Sequence, residues 1–482
     1  MKIGVYNLYW PTFGGGEQQA GGIVDALSAG HDVELLGPEG FDLAAARERL
    51  GLRLDGVSYR VVQGESYSAS LASQDYDLFI NHTYRSVAPN MSRRGVYFVM
   101  FPHRLDDVRR SVEWVRSAGS RFAVPVRLLG GVHHRKGIDH IVGPVQFQIE
   151  PGVQKVELEV TAPRRERLEI ASVDPVSGIE SLEISGTRRI QLPTGSRNAV
   201  IRPTRMEDDL DVDHSVRLVG VWVDGVRVRA SPHSIQQRLT PVRSRDFIPT
   251  YQRFVTLSEY GRRWTQQWWG ADSQVISPPV LMRDTGEKEQ LIVSVGRFFG
   301  EDSGHSKRQL EMVKAFRMLL EQGVTGWRLV LIGGCAPEHR EYAMAVRAEA
   351  AGLPVEVRIG APGAVLDDRL ARASIYWHAA GYGSDLTENP ERAEHFGIAP
   401  IEAMSAGAVP VVFDAAGPAE VVEPGRTGLL YHSLEQLAAA TRRLIEDEPY
   451  RQRLSVAARE RALHYRRDRF EQDVRDLVDG LD

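Results

Sequence analysis

The sequence predicts an α/β protein of two doubly wound domains, with a β-rich module inserted late in the first. Three observations lead to this fold class. Short apolar runs alternate with segments of helical apolar spacing over residues 1–124, a pattern typical of parallel sheets with crossover helices. The same alternation returns over residues 281–482. Between them, residues 125–243 alternate apolar and polar positions, which is the period of a β-strand.

Size, composition and charge limit the class of protein. The chain has 482 residues, which is enough for two or three domains. It is 42% hydrophobic and 26% charged, as is ordinary for a globular protein. The formal net charge of −5 argues against a general nucleic-acid binder, because such a domain would be basic. We therefore expect no nucleic-acid partner.

The cysteine content and the apolar runs indicate the compartment. The single cysteine, Cys335, excludes an internal disulfide framework and fits a reducing environment. No run of about 18 apolar residues is present, so no transmembrane helix is expected. The opening "MKIGVYNLYW" has the pattern of a first strand, not of a signal peptide. These features predict a cytoplasmic protein and leave open an association with the cytosolic face of a membrane.

A glycine cluster follows the first predicted strand. The order strand, "FGGGEQQAGG", helix is typical of a phosphate-binding loop. The cluster does not fit G-x-G-x-x-G, because Gln19 occupies the place of the third glycine after Gly14 and Gly16. The following strand, "DVELLGP", also lacks an acidic residue well placed for an adenine ribose. A dinucleotide site, and with it a nicotinamide-dependent oxidoreductase, is therefore disfavoured.

The inserted module has the pattern of short antiparallel strands. In "VQKVELEVTA" the valines and leucine fall on one face and the glutamates on the other. In "VWVDGVRV", the pair Asp224-Gly225 predicts a two-residue type I′ hairpin turn. We expect a β-sandwich-like module over residues 125–243. Residues 244–280 then complete the N-terminal domain and link it to the second.

The segment "EHFGIAPIEAMSAGAVPVV" carries the most chemical information. It begins at Glu394 and has a second glutamate, Glu402, after seven intervening residues. A proline near the start and a glycine past the end predict a helix, with Glu394 in the preceding loop and Glu402 near the second turn. A carboxylate there can accept hydrogen bonds from the two hydroxyl groups of a sugar diol. The exposed N–H groups of Phe396, Gly397 and Ile398 suit phosphate oxygens. These residues fit an amphipathic helix with a capping acid equally well.

This segment resembles the E-x7-E signature of the retaining glycosyltransferases of family 4, which have the GT-B fold. "VSVGRFFGEDSGHSKRQLEMVKAF" resembles that family's Arg and Lys pair, with Arg297 after the first strand and Lys307 before the next helix. "AAGPAEVVEPGRTGLLY" resembles the segment after the site helix. The resemblance covers most of residues 281–482 and implies two Rossmann-like domains facing a cleft.

The resemblance implies a role for each matching residue. Arg297 and Lys307 would hold the donor diphosphate and stabilise the charge of the leaving group. Glu402 would bind the ribose hydroxyls of the nucleotide, and Glu394 the hydroxyls of the donor sugar. The backbone amides at Phe396 and after it would meet sugar or diphosphate. An acceptor hydroxyl would attack from the face of the leaving group, with retention of configuration and without a metal or cofactor.

The N-terminal domain resembles the family less closely. Gly15 and Gly16 would let the backbone approach the donor diphosphate or the acceptor. The family often places a histidine near the sugar 6-hydroxyl, and His103 in "VMFPHRLDD" stands in about that position. His82 in "FINHTY" is the alternative, and a structural role fits either histidine.

The resemblance also implies substrates. The donor would be a nucleotide-diphosphate sugar, either GDP-mannose or a UDP-sugar, and "EHFGI" with "AAGP" favours a mannosyltransferase-like enzyme. The acceptor would be a glycan, a lipid-linked or another hydroxyl compound of polysaccharide or glycolipid biosynthesis. The alternative is a catalytically silent glycan- or sugar-nucleotide-binding protein on the same scaffold. The arginine-rich stretch that begins at Arg104 leaves open a peripheral membrane contact, although a solvent-facing helix is favoured.

Two patterns resemble metal sites, and neither has the required ligands. The acidic run "EDDLDVDH" has calcium-loop spacing, but His214 replaces the glycine and Gly220 replaces the final glutamate. The adjacent His133 and His134 would point to opposite faces of a strand. No metal is expected at either place.

Overall fold

The structure is a computed structural model that describes residues 1–62, 66–105, 126–129, 132–135, 138–141, 145–149, 152–174, 180–193, 195, 198–203, 216–228, 247–300 and 306–481. The strands in these ranges form three sheets. Two are parallel and carry crossover helices, and the sheet between them in sequence is antiparallel. The prediction of two doubly wound units is thereby confirmed.

The N-terminal sheet has seven parallel strands. Their bounds are β1 Lys2–Tyr6, β2 Asp32–Gly37, β3 Ser58–Val61, β4 Leu78–Asn81, β5 Arg94–Val99, β15 Arg253–Thr256 and β16 Gln274–Val275. The helices are α1 Gly15–Leu27, α2 Leu43–Leu50, α3 Ser66–Ser73 and α4 Glu259–Trp269. The strand order is β16-β15-β5-β4-β1-β2-β3. The order reverses between β1 and β4, and ligands of open α/β sheets bind at the carboxyl ends of the strands at such a point.

The inserted module is one antiparallel sheet of nine strands. They are β6 Val126–Leu129, β7 Val132–Arg135, β8 Ile138–Ile141, β9 Val145–Ile149, β10 Val156–Asp174, β11 Glu180–Gln191, β12 Asn198–Pro203, β13 Val216–Val223 and β14 Val226–Val228. The strands β13 and β12 pair with the early and the late residues of the long strand β10. Apolar residues of both halves share one core that includes Phe147, Leu158, Leu168, Ile201 and Leu218.

The predicted hairpin turn of this module is present. Asp224 and Gly225 connect β13 to β14 with φ angles of 50° and 85°. The Asp224 carboxylate accepts hydrogen bonds from the backbone N–H groups of Gln154 and Lys155. These bonds fix the turn against the chain that enters β10. The acidic run at 207–214 lies outside the described residues, as does the part of the arginine-rich stretch from residue 106 to 122.

The C-terminal sheet has six parallel strands in the order β19-β18-β17-β20-β21-β22. They are β17 Glu289–Val295, β18 Arg328–Gly333, β19 Val355–Ile359, β20 Ala373–His378, β21 Val409–Phe413 and β22 Leu429–Tyr431. The helices are α5 Gln309–Glu321, α6 Arg340–Glu349, α7 Gly363–Arg372, α8 Ile398–Ser405, α9 Ala416–Val421, α10 Leu434–Glu446 and α11 Glu448–Ala462. The order reverses between β17 and β20, which marks a second binding edge.

The last helix, α12 Arg467–Asp479, returns to the N-terminal unit. Its apolar face joins Ile23 of α1 in one buried core through Phe470, Val474 and Leu477. Arg53 also pairs with Glu471 at 2.9 Å. The two α/β units are therefore joined by α12 as well as by the linker that follows β16. Within the ranges given above, the helices are all too short or too polar to span a bilayer.

Candidate active site

The predicted site residues of the C-terminal domain lie at the reversal point of its sheet. Arg297 stands two residues after β17, and His378 is the last residue of β20. The loop with Glu394 leads into α8, where Gly397 precedes the first helical residue with a φ of 101°. Glu402 is the fifth residue of α8 and lies in its second turn, as the sequence spacing predicts.

Three titratable groups meet at Glu394. Its Oε2 accepts a hydrogen bond from Lys307 Nζ and lies 3.4 Å from His378 Nε2. Burial alone would raise the pKa of Glu394, but the charge of Lys307 and the contact with His378 hold it well below the usual range. Burial lowers the pKa of His378, so that imidazole is neutral at neutral pH. The cluster therefore holds a carboxylate, an ammonium group and a neutral imidazole.

The Lys307 side chain packs against the backbone of Gly296, the residue before Arg297. A Cβ added at Gly296 would lie 2.6 Å from Lys307 Cγ. The carbonyl groups of Gly296 and Arg297 both accept from Gln309 Nε2, at 3.2 Å. Gly333 packs behind this turn, and a Cβ there would lie 1.9 Å from the Gly296 oxygen. The exposed Arg297 guanidinium thus starts from a rigid turn beside Lys307.

Glu402 is held by an arginine that the sequence does not single out. Arg283 donates from Nε and Nη2 to Glu402 Oε1, at 3.2 and 2.6 Å. Its Nη1 donates to Asp367 of α7. Burial raises the pKa of Glu402, and Arg283 opposes that shift. Glu402, the residue predicted to bind the ribose, is therefore a nearly buried carboxylate beside a fixed cation.

The segment "AAGP" supports the loop of Glu394 from behind. The Gly417 N–H donates to the carbonyl of Glu394 at 3.0 Å. A Cβ at Gly417 would lie 2.3 Å from the Phe396 Cα, which is backbone and cannot be displaced without moving the loop. Phe396 itself is buried and packs edge-on against Tyr465. Only the backbone of Phe396 is placed to meet a ligand.

We expect Gly417→Ala to move this loop and to destabilise the protein by about 1–3 kcal/mol, the usual cost of overpacking a filled site. Urea denaturation of the variant and the wild type measures the difference. Gly363→Ala is the matched control, since a Cβ at Gly363 meets nothing within 4 Å. Equal stability of Gly417→Ala and the wild type would contradict the tight approach.

The glycine cluster of the N-terminal domain faces the start of α8. A Cβ at Gly15 would lie 3.0 Å from Ile398 Cδ1, and one at Gly16 would lie 3.2 Å from Met100 Cε. The Glu17 carboxylate fixes the loop by accepting from the Gly14 N–H at 2.7 Å. The loop after β1 and the N-terminus of α8 therefore approach each other from opposite domains.

Aromatic and polar contacts join the loop of Glu394 to the N-terminal domain. Phe101, which follows β5, stacks on His395 with ring centroids 4.1 Å apart and planes 9° apart. Ser258 Oγ donates to the His395 carbonyl at 2.6 Å, and Tyr260 donates to the Pro390 carbonyl at 2.9 Å. The position of Glu394 therefore depends on both domains.

The two candidate histidines have different surroundings. His82 is fully buried after β4, with Nε2 3.1 Å from Gln19 Oε1 of α1. Burial lowers the pKa of His82 to about 4, so it is neutral and supports the glycine cluster from below. His103 is half-buried and packs edge-on against Trp269, whose Nε1 donates to its carbonyl. His103 thus remains the histidine closer to solvent.

Whole-chain comparison defines the class of fold. The structure of Anabaena Alr3699/HepE in complex with UDP matches with a TM-score of 0.58 at 14% identity, over 100% of both chains. A glycosyltransferase from Rickettsia africae matches with a TM-score of 0.56 at 10% identity, over 100% of this chain and 97% of the other. The chain has the GT-B fold that these and further glycosyltransferase structures share.

Sequence comparison finds a similarity in the C-terminal domain. The family model described as glycosyl transferases group 1 matches residues 283–461. The GDP-Man:Man(3)GlcNAc(2)-PP-Dol alpha-1,2-mannosyltransferase of Xenopus laevis is 31% identical over 180 residues. The alignment covers 35% of this chain and 34% of that enzyme, so it spans about a third of the relative's length.

Proposed function

We propose that the protein is a retaining glycosyltransferase that transfers a hexose from a nucleotide-diphosphate sugar to a hydroxyl acceptor. The observation that carries the proposal is the convergence of Lys307, Glu394 and Glu402 at one edge of a sheet. The glycine cluster faces this edge from the other domain, with Gly15 close to Ile398. A cleft suits a sugar nucleotide when it has cations, carboxylates that accept hydrogen bonds from a sugar diol, and the N–H groups of a helix N-terminus.

The charges of the site suit a departing diphosphate. Before the donor binds, Lys307 is neutralised by Glu394, while Arg297 is exposed beside it. A bound diphosphate brings negative charge to both cations, and Glu394 is then available to accept hydroxyl groups of the sugar. The cations stabilise the charge that grows on the phosphate oxygen as the glycosidic bond breaks.

The proposed reaction occurs on one face of the sugar. The bond between the anomeric carbon and the diphosphate oxygen breaks, and the acceptor oxygen bonds to that carbon from the same face. The acceptor proton passes to the departing phosphate oxygen, so no protein base is required. Glu394, which pairs with Lys307 before the donor binds, then acts by orienting the sugar. His378, which is neutral and buried beside Glu394, is a further donor to the sugar hydroxyls.

The favoured donor is GDP-mannose and the favoured acceptor is a lipid-linked glycan. Both choices rest on the Xenopus laevis relative, whose name includes GDP-Man and a PP-Dol-linked glycan. The UDP complex of the Anabaena protein makes a UDP-sugar the second choice. With a lipid-linked acceptor, the enzyme would act on the cytosolic face of a membrane.

A thermal-shift panel of GDP-, UDP-, ADP- and dTDP-sugars tests the donor. We expect GDP-mannose to raise the Tm most, because it is the favoured donor. A ligand at 100 times its Kd stabilises the folded state by about 2.7 kcal/mol. NADH serves as the control ligand and should leave the Tm unchanged. A shift with NADH and with no sugar nucleotide would contradict the proposal. Sugar-nucleotide binding without any turnover would favour the silent binding protein.

A further inference from the structure

Arg283 links three parts of the C-terminal domain. It lies in the linker between β16 and β17, and its backbone N–H donates to Ser405 Oγ of α8 at 2.9 Å. Its guanidinium binds Glu402 of α8 and Asp367 of α7. The Arg283 side chain is only 17% exposed. An arginine held at its backbone and at three side-chain nitrogens has little freedom to move.

The direction of these hydrogen bonds matters for Glu402. Both Nε and Nη2 of Arg283 donate to the same oxygen, Oε1, at 3.2 and 2.6 Å. The other oxygen, Oε2, takes no part in this pair of bonds. The Glu402 side chain is 12% exposed, so the carboxylate has an open direction toward solvent. The arginine thus fixes the plane of the carboxylate through one oxygen and leaves the second for a ligand.

The arginine also determines the protonation of Glu402. A carboxylate that is almost buried is costly to ionise unless a cation accompanies it. The groups that face Glu402 are Arg283 from the linker, Asp367 from α7 and Tyr376 from β20. Arg283 is the cation of this set. Burial raises the pKa of Glu402 and the negative Asp367 adds to the rise, whereas Arg283 lowers it.

We propose that Arg283 is the positioning residue of the nucleotide-ribose site: it holds the Glu402 carboxylate through Oε1 and leaves Oε2 for the ribose hydroxyls. This inference rests on the proposed function, in which Glu402 binds the ribose diol. Because Arg283 belongs to the segment between β16 and β17, the ribose site is built partly by residues that precede the C-terminal sheet. Asp367 accepts a hydrogen bond from Nη1 of the same guanidinium and so restrains the side of Arg283 that does not face Glu402.

The test compares nucleotide affinity in Arg283→Met, Arg283→Lys and the wild type by calorimetry with GDP, with UDP in parallel. Arg283→Met should weaken binding of the preferred nucleotide about 10–100-fold, the range for loss of hydrogen bonds to a charged group. Arg283→Lys keeps the charge and should fall between the two. The KM of the donor should rise in the same proportion, while kcat changes little. Arg328→Met, which removes an exposed arginine paired with Glu289, should bind as the wild type does.

Two further measurements separate positioning from general support of the fold. In a Glu402→Gln background, Arg283→Met should lower nucleotide affinity by less than about twofold, because the effects of substitutions within one hydrogen-bond network are not additive. Nucleotide affinity should fall as the pH decreases. In Arg283→Met this fall should begin at a higher pH than in the wild type, since the pKa of Glu402 rises without its cation.

Equal losses in both backgrounds, or wild-type affinity in Arg283→Met, would overturn the role of Arg283. A wild-type protein that binds neither GDP nor UDP would instead overturn the proposed function. If Arg283→Met fails to fold, Arg283→Lys decides the question, because lysine cannot reproduce both hydrogen bonds to Oε1. Arg283→Lys should bind the nucleotide more weakly than the wild type, and Asp367→Asn should weaken binding by less than Arg283→Lys does. Wild-type affinity in Arg283→Lys would then contradict the proposal.

Discussion

Lys307→Ala is expected to reduce the rate of transfer by about 10²–10³-fold, the effect of removing one fixed donor from a developing oxyanion. The ammonium of the half-buried Lys307 pairs with Glu394, and the Lys307 side chain packs against the turn at Gly296. Its loss removes charge stabilisation from the diphosphate and leaves Glu394 without its ion pair. Initial rates of donor consumption measure the effect, with circular dichroism as the check on folding.

Lys314→Ala is the matched control for this substitution. Lys314 lies on α5, the helix that begins two residues after Lys307, and is exposed on its surface. The control should retain the wild-type rate. A Lys307→Ala variant that is folded and as active as the control would remove Lys307 from the site.

Glu402→Ala is expected to raise the donor KM about 100-fold, because two hydroxyl hydrogen bonds to a charged acceptor are lost together. The residue lies on α8 and is proposed to bind the ribose and not the transferred sugar, so the effect falls mainly on binding. Glu402→Gln keeps the shape and should be affected less. Steady-state kinetics over a range of donor concentrations separates KM from kcat.

Glu321→Ala, which removes an exposed glutamate at the end of α5, serves as the control and should leave KM unchanged. A normal donor KM in Glu402→Ala would contradict the ribose role. A large fall in kcat at an unchanged KM would assign Glu402 to the reacting sugar instead.

The parts of the fold that depend on local pattern could be predicted from the sequence. The alternation of strands and helices predicted both parallel sheets, and Asp224-Gly225 predicted its hairpin turn. The proline and glycine around α8 placed Glu394 before the helix and Glu402 in its second turn. These features follow from residues that are close in sequence, where propensity and spacing carry the information.

The contacts that complete the candidate site join residues far apart in sequence. Arg283 meets Glu402 from a linker more than a hundred residues earlier, and no pattern of the linker indicates that meeting. His378 has one signal, its place as the last residue of a strand, but only the fold brings it to Glu394. The stack of Phe101 on His395 requires both domains.

The C-terminal helix illustrates the same limit. Its apolar spacing predicts a helix, yet the spacing does not specify the partner of its apolar face. In the structure, Phe470 packs against Gly22 of α1, at the opposite end of the chain. Such a return depends on the relative position of the two domains and has no local signature.

The hydrolysis of GDP-mannose by the purified full chain, followed by NMR of the anomeric proton, tests the central claim most directly. We predict release of GDP with a first-formed mannose that has the anomeric configuration of the donor, and loss of this activity in Lys307→Ala. A product of opposite configuration would contradict retention. The proposed glycosyltransferase would be contradicted by two results together. The protein would turn over neither GDP-mannose nor UDP-, ADP- or dTDP-sugars, and Lys307→Ala would bind glycan as well as the wild type does.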